Sequence, residues 1–225
     1  MQMNGWAEGF YRISEWVLRI VSVNLLWIFF TLAGLGIFGV MPATIAMFTL
    51  IRKWFRKEYE FPVIKTFWQT YRQEFLKANG FGFIIGIFVY ILYINLQYLS
   101  ILSGVYHSIM FFAFTVTSIL FIMFSVYFFP VYVHFDLKFS QYFKRTIILA
   151  LLNLHIFIVM IVGLVGLYFL FMSVPGLLPF FSISVPAFFM MAMVQLSLKH
   201  IEWKQKKLEM KQDEKLVNHQ EQTSH

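Results

Sequence analysis

The residues best suited to chemistry are few, and they stand apart from one another. His155 follows Asn153 by two places inside an apolar stretch and could line a polar path. The plainer reading is a hydrogen bond to a neighbouring helix, the common use of a polar residue between membrane spans. His134 and Asp136 have no second histidine or carboxylate at ligand spacing, so they do not make a metal site. Asn95 and Gln97, with Thr115, Thr117 and Ser118 further on, offer the amides and hydroxyls that sugar sites use, but no carboxylate or cation completes that patch. Gly34-Leu35-Gly36 with Gly39 lacks the strand before it and the Lys-Ser/Thr after it that a phosphate-binding loop needs. Cysteine is absent, which excludes disulfides, thiolate metal sites and a cysteine nucleophile. No Ser-His-Asp, paired-carboxylate or metalloprotease motif is present. The chemistry therefore argues against an enzyme and calls for no cofactor or metal.

The elements that must position these residues are set by where charge is missing. From Lys77 to Asp136 the chain runs 58 residues without Asp, Glu, Lys or Arg, more than twice the roughly 20 that one helix needs to cross a bilayer. It must fold back on itself inside the membrane, because lipid leaves only closed backbone hydrogen bonding. Residues 20–51 and 146–198 form two more charge-free runs. The chain is 60% hydrophobic and 13% charged, where a soluble domain is roughly 25% charged, so no sizeable soluble domain remains. Its net charge of +7 comes from Lys and Arg beside the apolar runs, where anionic lipid explains them without nucleic acid.

These runs predict an all-α membrane protein, a polytopic helical bundle of five or six transmembrane helices with cytoplasmic interfacial helices. Residues 1–200 form one integral membrane domain and 201–225 a charged cytoplasmic tail, expected to continue the last helix and fray from Val217. The third and fourth spans are Gly80 to about Leu102 and Ser108 to about His134; the fifth runs from about Ile147 to Phe171, and the sixth from Ile183 to Lys199. Trp16 to Trp54 as one helix would extend ~58 Å against a hydrocarbon core of ~30 Å, so it must break. Gly34, Gly36, Gly39 and then Pro42 supply the break, giving Trp16–Ala33 outward and Pro42–Trp54 back. A single first span with an outside N-terminus, or a re-entrant second limb, is the alternative. The basic connections, Arg52 to Lys77 and Lys138 to Arg145, and the C-terminus are then cytoplasmic in a multi-pass protein of the cell membrane.

Phe61 to Asn79 places Phe61, Ile64, Phe67, Trp68, Tyr71, Phe75 and Ala78 at spacings of three and four, with Lys65 and Arg72 between them. That is the pattern of a helix lying in the interface, which either anchors the protein to membrane lipids or docks a cytoplasmic partner. The connections before the second and third hairpins look alike: Phe67, Gln69, Tyr71 and Arg72 align with Phe139, Gln141, Phe143 and Lys144, each set leading to an Asn, at 79 and 153, with Asn24 placed similarly. Function is expected to concentrate at the turn Gly34, Gly36, Gly39 and Pro42, and on the docking face Trp68, Arg72 and Asn79, joined by Arg52, Lys53 and Trp54.

The strings Asn24-Leu25-Leu26-Trp27, Gly34-Leu35-Gly36-Ile37-Phe38-Gly39, Pro42-Ala43-Thr44, Arg52-Lys53-Trp54, Phe67-Trp68 and Phe75-Leu76-Lys77-Ala78-Asn79 resemble the YesL-like family of small bacterial membrane proteins. The departure is Val40-Met41 before Pro42, which lengthens the Gly-to-Pro turn. Members are often encoded beside sugar ABC transporters, carbohydrate-degrading enzymes and sensor kinases. The resemblance implies an accessory role in carbohydrate uptake or sensing, with ABC transporter subunits or a sensor kinase as partners.

Overall fold

The computed structural model describes residues 5–223. Eight α-helices follow one another among these residues, with no strand: α1 Gly5–Ala33, α2 Ile37–Phe55, α3 Val63–Leu99, α4 Gly104–His134, α5 Phe139–Leu152, α6 Leu154–Ser173, α7 Leu178–Phe181 and α8 Ser184–Thr223. A 3₁₀ turn at Pro175–Leu177 precedes α7. Six helices have the length and apolarity to cross a membrane: α1, α2, α3, α4, α6 and the Ser184–Ile201 part of α8. The expected polytopic all-α bundle is the fold, and the protein is a multi-pass membrane protein.

α1 and α2 form the expected hairpin, and the glycines show why it closes. A Cβ on Gly34 would stand 2.4 Å from Gly39 Cα, and one on Gly39 2.4 Å from the Thr31 carbonyl oxygen, so only glycine lets the two backbones meet. Gly36 turns the chain with φ +73°, a conformation other residues adopt at a cost. The returning helix starts at Ile37, earlier than the Pro42 start that the proline suggested. Pro42 is instead inside the helix, and Thr44 beside it donates to the Val40 carbonyl (2.7 Å) while accepting from the Trp27 indole of α1 (3.0 Å). α2 is the enclosed helix, with 61% of its most apolar window buried against 11% for α3 and for α4.

Three further boundaries differ from the sequence expectation. Phe61–Asn79 and Gly80–Leu102 are not separate elements: α3 runs unbroken over 37 residues. It contains glycines but no proline, and glycine alone weakens a helix without stopping it. Conversely, the expected fifth span is divided at Asn153, whose φ of −123° and ψ of 47° leave the helical region between α5 and α6. The last helix continues to Thr223, past the expected fraying point, through a stretch rich in the helix formers Lys, Glu, Gln, Leu and Met.

The three asparagines that looked equivalent split into two kinds. Asn79 and Asn153 each donate back to the carbonyl four residues earlier, Phe75 O at 2.8 Å and Leu149 O at 3.1 Å. Asn24 reaches across the chain instead. Its Nδ2 donates to Pro179 O (2.8 Å) and its Oδ1 accepts from the backbone of Ile183 and Ser184 (both 3.1 Å), so α1 caps the first turn of α8. The core around these contacts is aromatic: Phe81 alone has ring contacts with Phe128, Tyr132, Phe139, Tyr142 and Phe143.

Candidate functional site

Where the basic connections gather, α2, α3, the end of α4 and α5 leave a polar cavity of about 480 Å³ between them. Thr49 and Arg52 come from α2, and Thr70, Gln73, Glu74 and Lys77 from successive turns of α3 at the i, i+3 and i+4 spacing that aligns them on one face. Asp136, from the link between α4 and α5, completes the charged lining. Phe81, Phe139 and Tyr142 supply an aromatic wall, with Phe81 and Phe139 stacked at a centroid distance of 4.0 Å.

One acceptor in this cavity is held rigidly. Tyr132 donates to Glu74 Oε2 at 2.5 Å, joining α4 to α3. Tyr132 stacks on Tyr142 at 4.6 Å, and Tyr142 is itself fixed, donating to Phe135 O (3.0 Å) and accepting from the Leu137 N–H (3.2 Å). Glu74 therefore presents its other oxygen from a braced position. Opposite it on α2, Arg52 has its Nε buried and without a hydrogen-bond partner. Neither group forms an ion pair with a described residue; the ion pairs among those are Arg19–Glu15 and Lys53–Glu58. A buried donor left open and a fixed acceptor left open, on facing helices, are what a polar ligand needs.

Of the turn and docking residues singled out from sequence, Arg52 lies in this cavity and the others do not, while His134 and Asp136, set aside as a metal site, both line it. Gly34, Gly36, Gly39 and Pro42 shape the α1–α2 hairpin. Trp54 is buried, touching the rings of Trp16, Phe61 and Phe188. Lys53 reaches Glu58 at 3.5 Å and lies over the Phe61 ring. Asn79 satisfies its own helix. Trp68 is 47% exposed while stacking on Phe30 and Tyr71, and Arg72 is exposed on the same side of α3. Phe67, Tyr71 and Ala78 are buried as their spacing foretold, so the amphipathic segment is real but packs its apolar face on α1 and α2. Ile64, expected on that apolar face, is exposed with Trp68.

The amide and hydroxyl patch does not assemble: Asn95, Thr115 and Thr117 each bond to the carbonyl four residues before. His155 is exposed and meets the His200 ring at 5.5 Å. Sequence reasoning missed Glu74 and Tyr132, which are 58 positions apart. The available signal was an acid placed four before Ala78 on the packed side of an amphipathic helix, where an unpaired carboxylate would be costly.

A family model described as "Protein of unknown function, DUF624" matches residues 20–96, from α1 to the outer part of α3. The uncharacterized protein YteU of Bacillus subtilis (strain 168) is 39% identical over 202 residues, which is 90% of each chain. The chain belongs to this family. The family also takes in the uncharacterized proteins YesL and YesV of the same organism, similar at 31% and 32% identity over 81% and 78% of this chain and 86% and 84% of theirs. The YesL-like resemblance read from the Asn24 to Asn79 strings is thereby shown. The family match spans the α2 and α3 walls of the cavity, Arg52 and Glu74 included. No solved structure matches the chain.

Proposed function

We propose that the protein is a non-enzymatic accessory or assembly subunit of a carbohydrate uptake or sensing system in the bacterial cell membrane. The observation that carries this reading is the exposed stripe along the first half of α3. Ile64, Lys65, Trp68, Arg72 and Leu76 recur at spacings of one, three or four and face away from the bundle, while Phe67 and Tyr71 hold the helix to α1 and α2. A cationic and aromatic stripe on a helix that is firmly packed behind is a surface built to meet something, and aromatic and arginine residues are those that anchor interfaces. The basic connections and the C-terminus face the cytoplasm by the positive-inside rule, which puts the stripe within reach of ABC transporter subunits or a sensor kinase. The family resemblance supplies the carbohydrate context.

The test is a detergent pull-down with mass spectrometry, comparing the intact protein with a Trp68→Phe, Arg72→Gln double variant. Transport or sensing subunits should be recovered with the former and lost with the latter. Membrane anchoring alone tolerates both changes, because ring and charge placement at an interface are loosely specified. Recovery of the same partners with both proteins would refute the docking face, and saturable sugar uptake by the purified protein alone in liposomes would replace the accessory reading with a facilitative transporter.

A further inference from the structure

We propose that the cavity between α2, α3 and the α4–α5 link is a binding site for a small neutral hydroxyl-rich solute, a mono- or disaccharide. Its volume of about 480 Å³ lies in the range of small-molecule sites. The full charges lining it balance, with Arg52 and Lys77 against Glu74 and Asp136 and the His134 imidazole beside them, so neither an anion nor a cation is favoured as a class. Hydrogen-bonding groups of both kinds are interleaved. Arg52 offers an unpartnered buried N–H, Glu74 offers the oxygen that Tyr132 does not use, and Thr49 donates to the Ile45 carbonyl, which leaves its hydroxyl oxygen free to accept. Gln73 and Thr70 add an amide and a hydroxyl from the next turns of α3.

A vicinal diol matches this arrangement. One hydroxyl donates to the braced Glu74 oxygen and the neighbouring oxygen accepts from Arg52, each bond assisted by the charge of the protein group. The aromatic wall of Phe81 and Phe139 then faces the C–H side of the ring, where an apolar surface suits it. A free amino acid would satisfy Arg52 and Glu74 but leave Thr49, Thr70, Gln73 and the aromatic wall without a role. An apolar ligand would leave the buried Arg52 Nε without a partner and cover the Glu74 oxygen that Tyr132 does not use.

The wall chemistry alone gives the ligand class. The accessory function proposed above adds only the consequence, for in its orientation the cavity opens to the cytoplasm. The solute bound there is one already inside the cell, so the site reads an internal pool and does not capture sugar outside.

The test is equilibrium dialysis of the full-length protein in lipid nanodiscs against radiolabelled glucose, galactose, xylose and maltose, with alanine and inorganic phosphate as the charged probes. Arg52→Gln and Glu74→Gln are compared with Ser173→Ala on α6, which lies outside the cavity and bonds to its own helix. At least one neutral sugar should bind saturably, with affinity falling about tenfold or more in the two cavity variants and unchanged in Ser173→Ala. Should either cavity variant elute as aggregate, Thr70→Val and Gln73→Leu, at uncharged wall positions, take its place and should show the same loss. Absence of saturable binding by every sugar, or binding that survives the cavity changes, overturns the proposal. So does alanine or phosphate binding that depends on Arg52 while the sugars do not bind. The pull-down of the α3 stripe does not bear on this outcome, so either result can fail without the other.

Discussion

Phe81 and Phe83 lie two residues apart on α3, yet the first is 1% exposed and the second 72%. The contrast holds for the regions they belong to. Towards the basic end, Phe67, Tyr71, Phe81, Phe128 and Tyr132 pack into one aromatic core with α1, α2 and α5. In the outer half of the α3–α4 hairpin, Tyr90, Ile109 and Phe112 face outward, and what lies between the helices there is a thin seam such as the Phe88–Phe121 stack at 5.2 Å. Both regions are rich in large apolar residues, although the first also carries Arg72, Glu74 and Lys77. The difference shows that hydrophobicity in a membrane chain marks contact with lipid as readily as it marks a core, because lipid tails and leucine side chains are equivalent surroundings. What distinguishes the packed bundle from that bare hairpin is close backbone approach at Gly34 and Gly39 in the α1–α2 turn, the cross-chain hydrogen bonds of Asn24 and, at the basic end, polar side chains turned inward around a cavity. At the outer end Gly86 and Gly104 meet nothing within 4 Å.

The largest effect that would sharpen this contrast is at the hairpin glycines. Gly39→Leu must push a side chain into the Thr31 and Phe30 carbonyls, at a cost of roughly 4 kcal/mol or outright loss of folded protein. Gly86→Leu should stay within about 0.5 kcal/mol, as both variants' denaturant unfolding in mixed micelles will show. Next comes the phenylalanine pair. Phe81→Ala should cost about 3 kcal/mol and Phe83→Ala close to none, and near-equal losses would dissolve the distinction between the two regions.

Asn24→Ala ranks third. It removes three interhelical hydrogen bonds, and at the ~0.6 kcal/mol that such bonds average in membrane bundles the loss is about 2 kcal/mol. Asn95→Ala, at an asparagine that serves only its own helix in the outer half, should be near neutral in the same measurement. Smallest of all, Trp68→Phe with Arg72→Gln should leave unfolding within about 0.5 kcal/mol of the parent while abolishing partner recovery, which separates a surface role from a packing one.

The apolar runs, the Gly-to-Pro hairpin and the buried face of Phe67, Tyr71 and Ala78 were legible in the sequence because each is a local property of spacing and composition. The cavity was not. Its two decisive groups, Glu74 and Arg52, sit on what reads as the polar side of an interfacial helix and at the join before it, and only the antiparallel packing of α2 on α3, with Tyr132 arriving from α4, turns them toward one cavity. Asn24 reads like Asn79 and Asn153 because an asparagine's partner, its own helix or one 160 residues away, leaves no trace in its neighbours along the chain. The break at Asn153 was equally silent, with neither glycine nor proline beside it.

The central proposal is that the packed, polar end is the cytoplasmic and working end, and that the bare outer hairpin points away from the cell. The chain has no cysteine, so single substitutions report cleanly. Gln73→Cys marks the cavity, and Ser103→Cys marks the turn between α3 and α4. With a membrane-impermeant maleimide on intact cells, Ser103→Cys should label and Gln73→Cys should label only after permeabilisation. Labelling of Gln73→Cys in intact cells, with Ser103→Cys protected, would contradict the account.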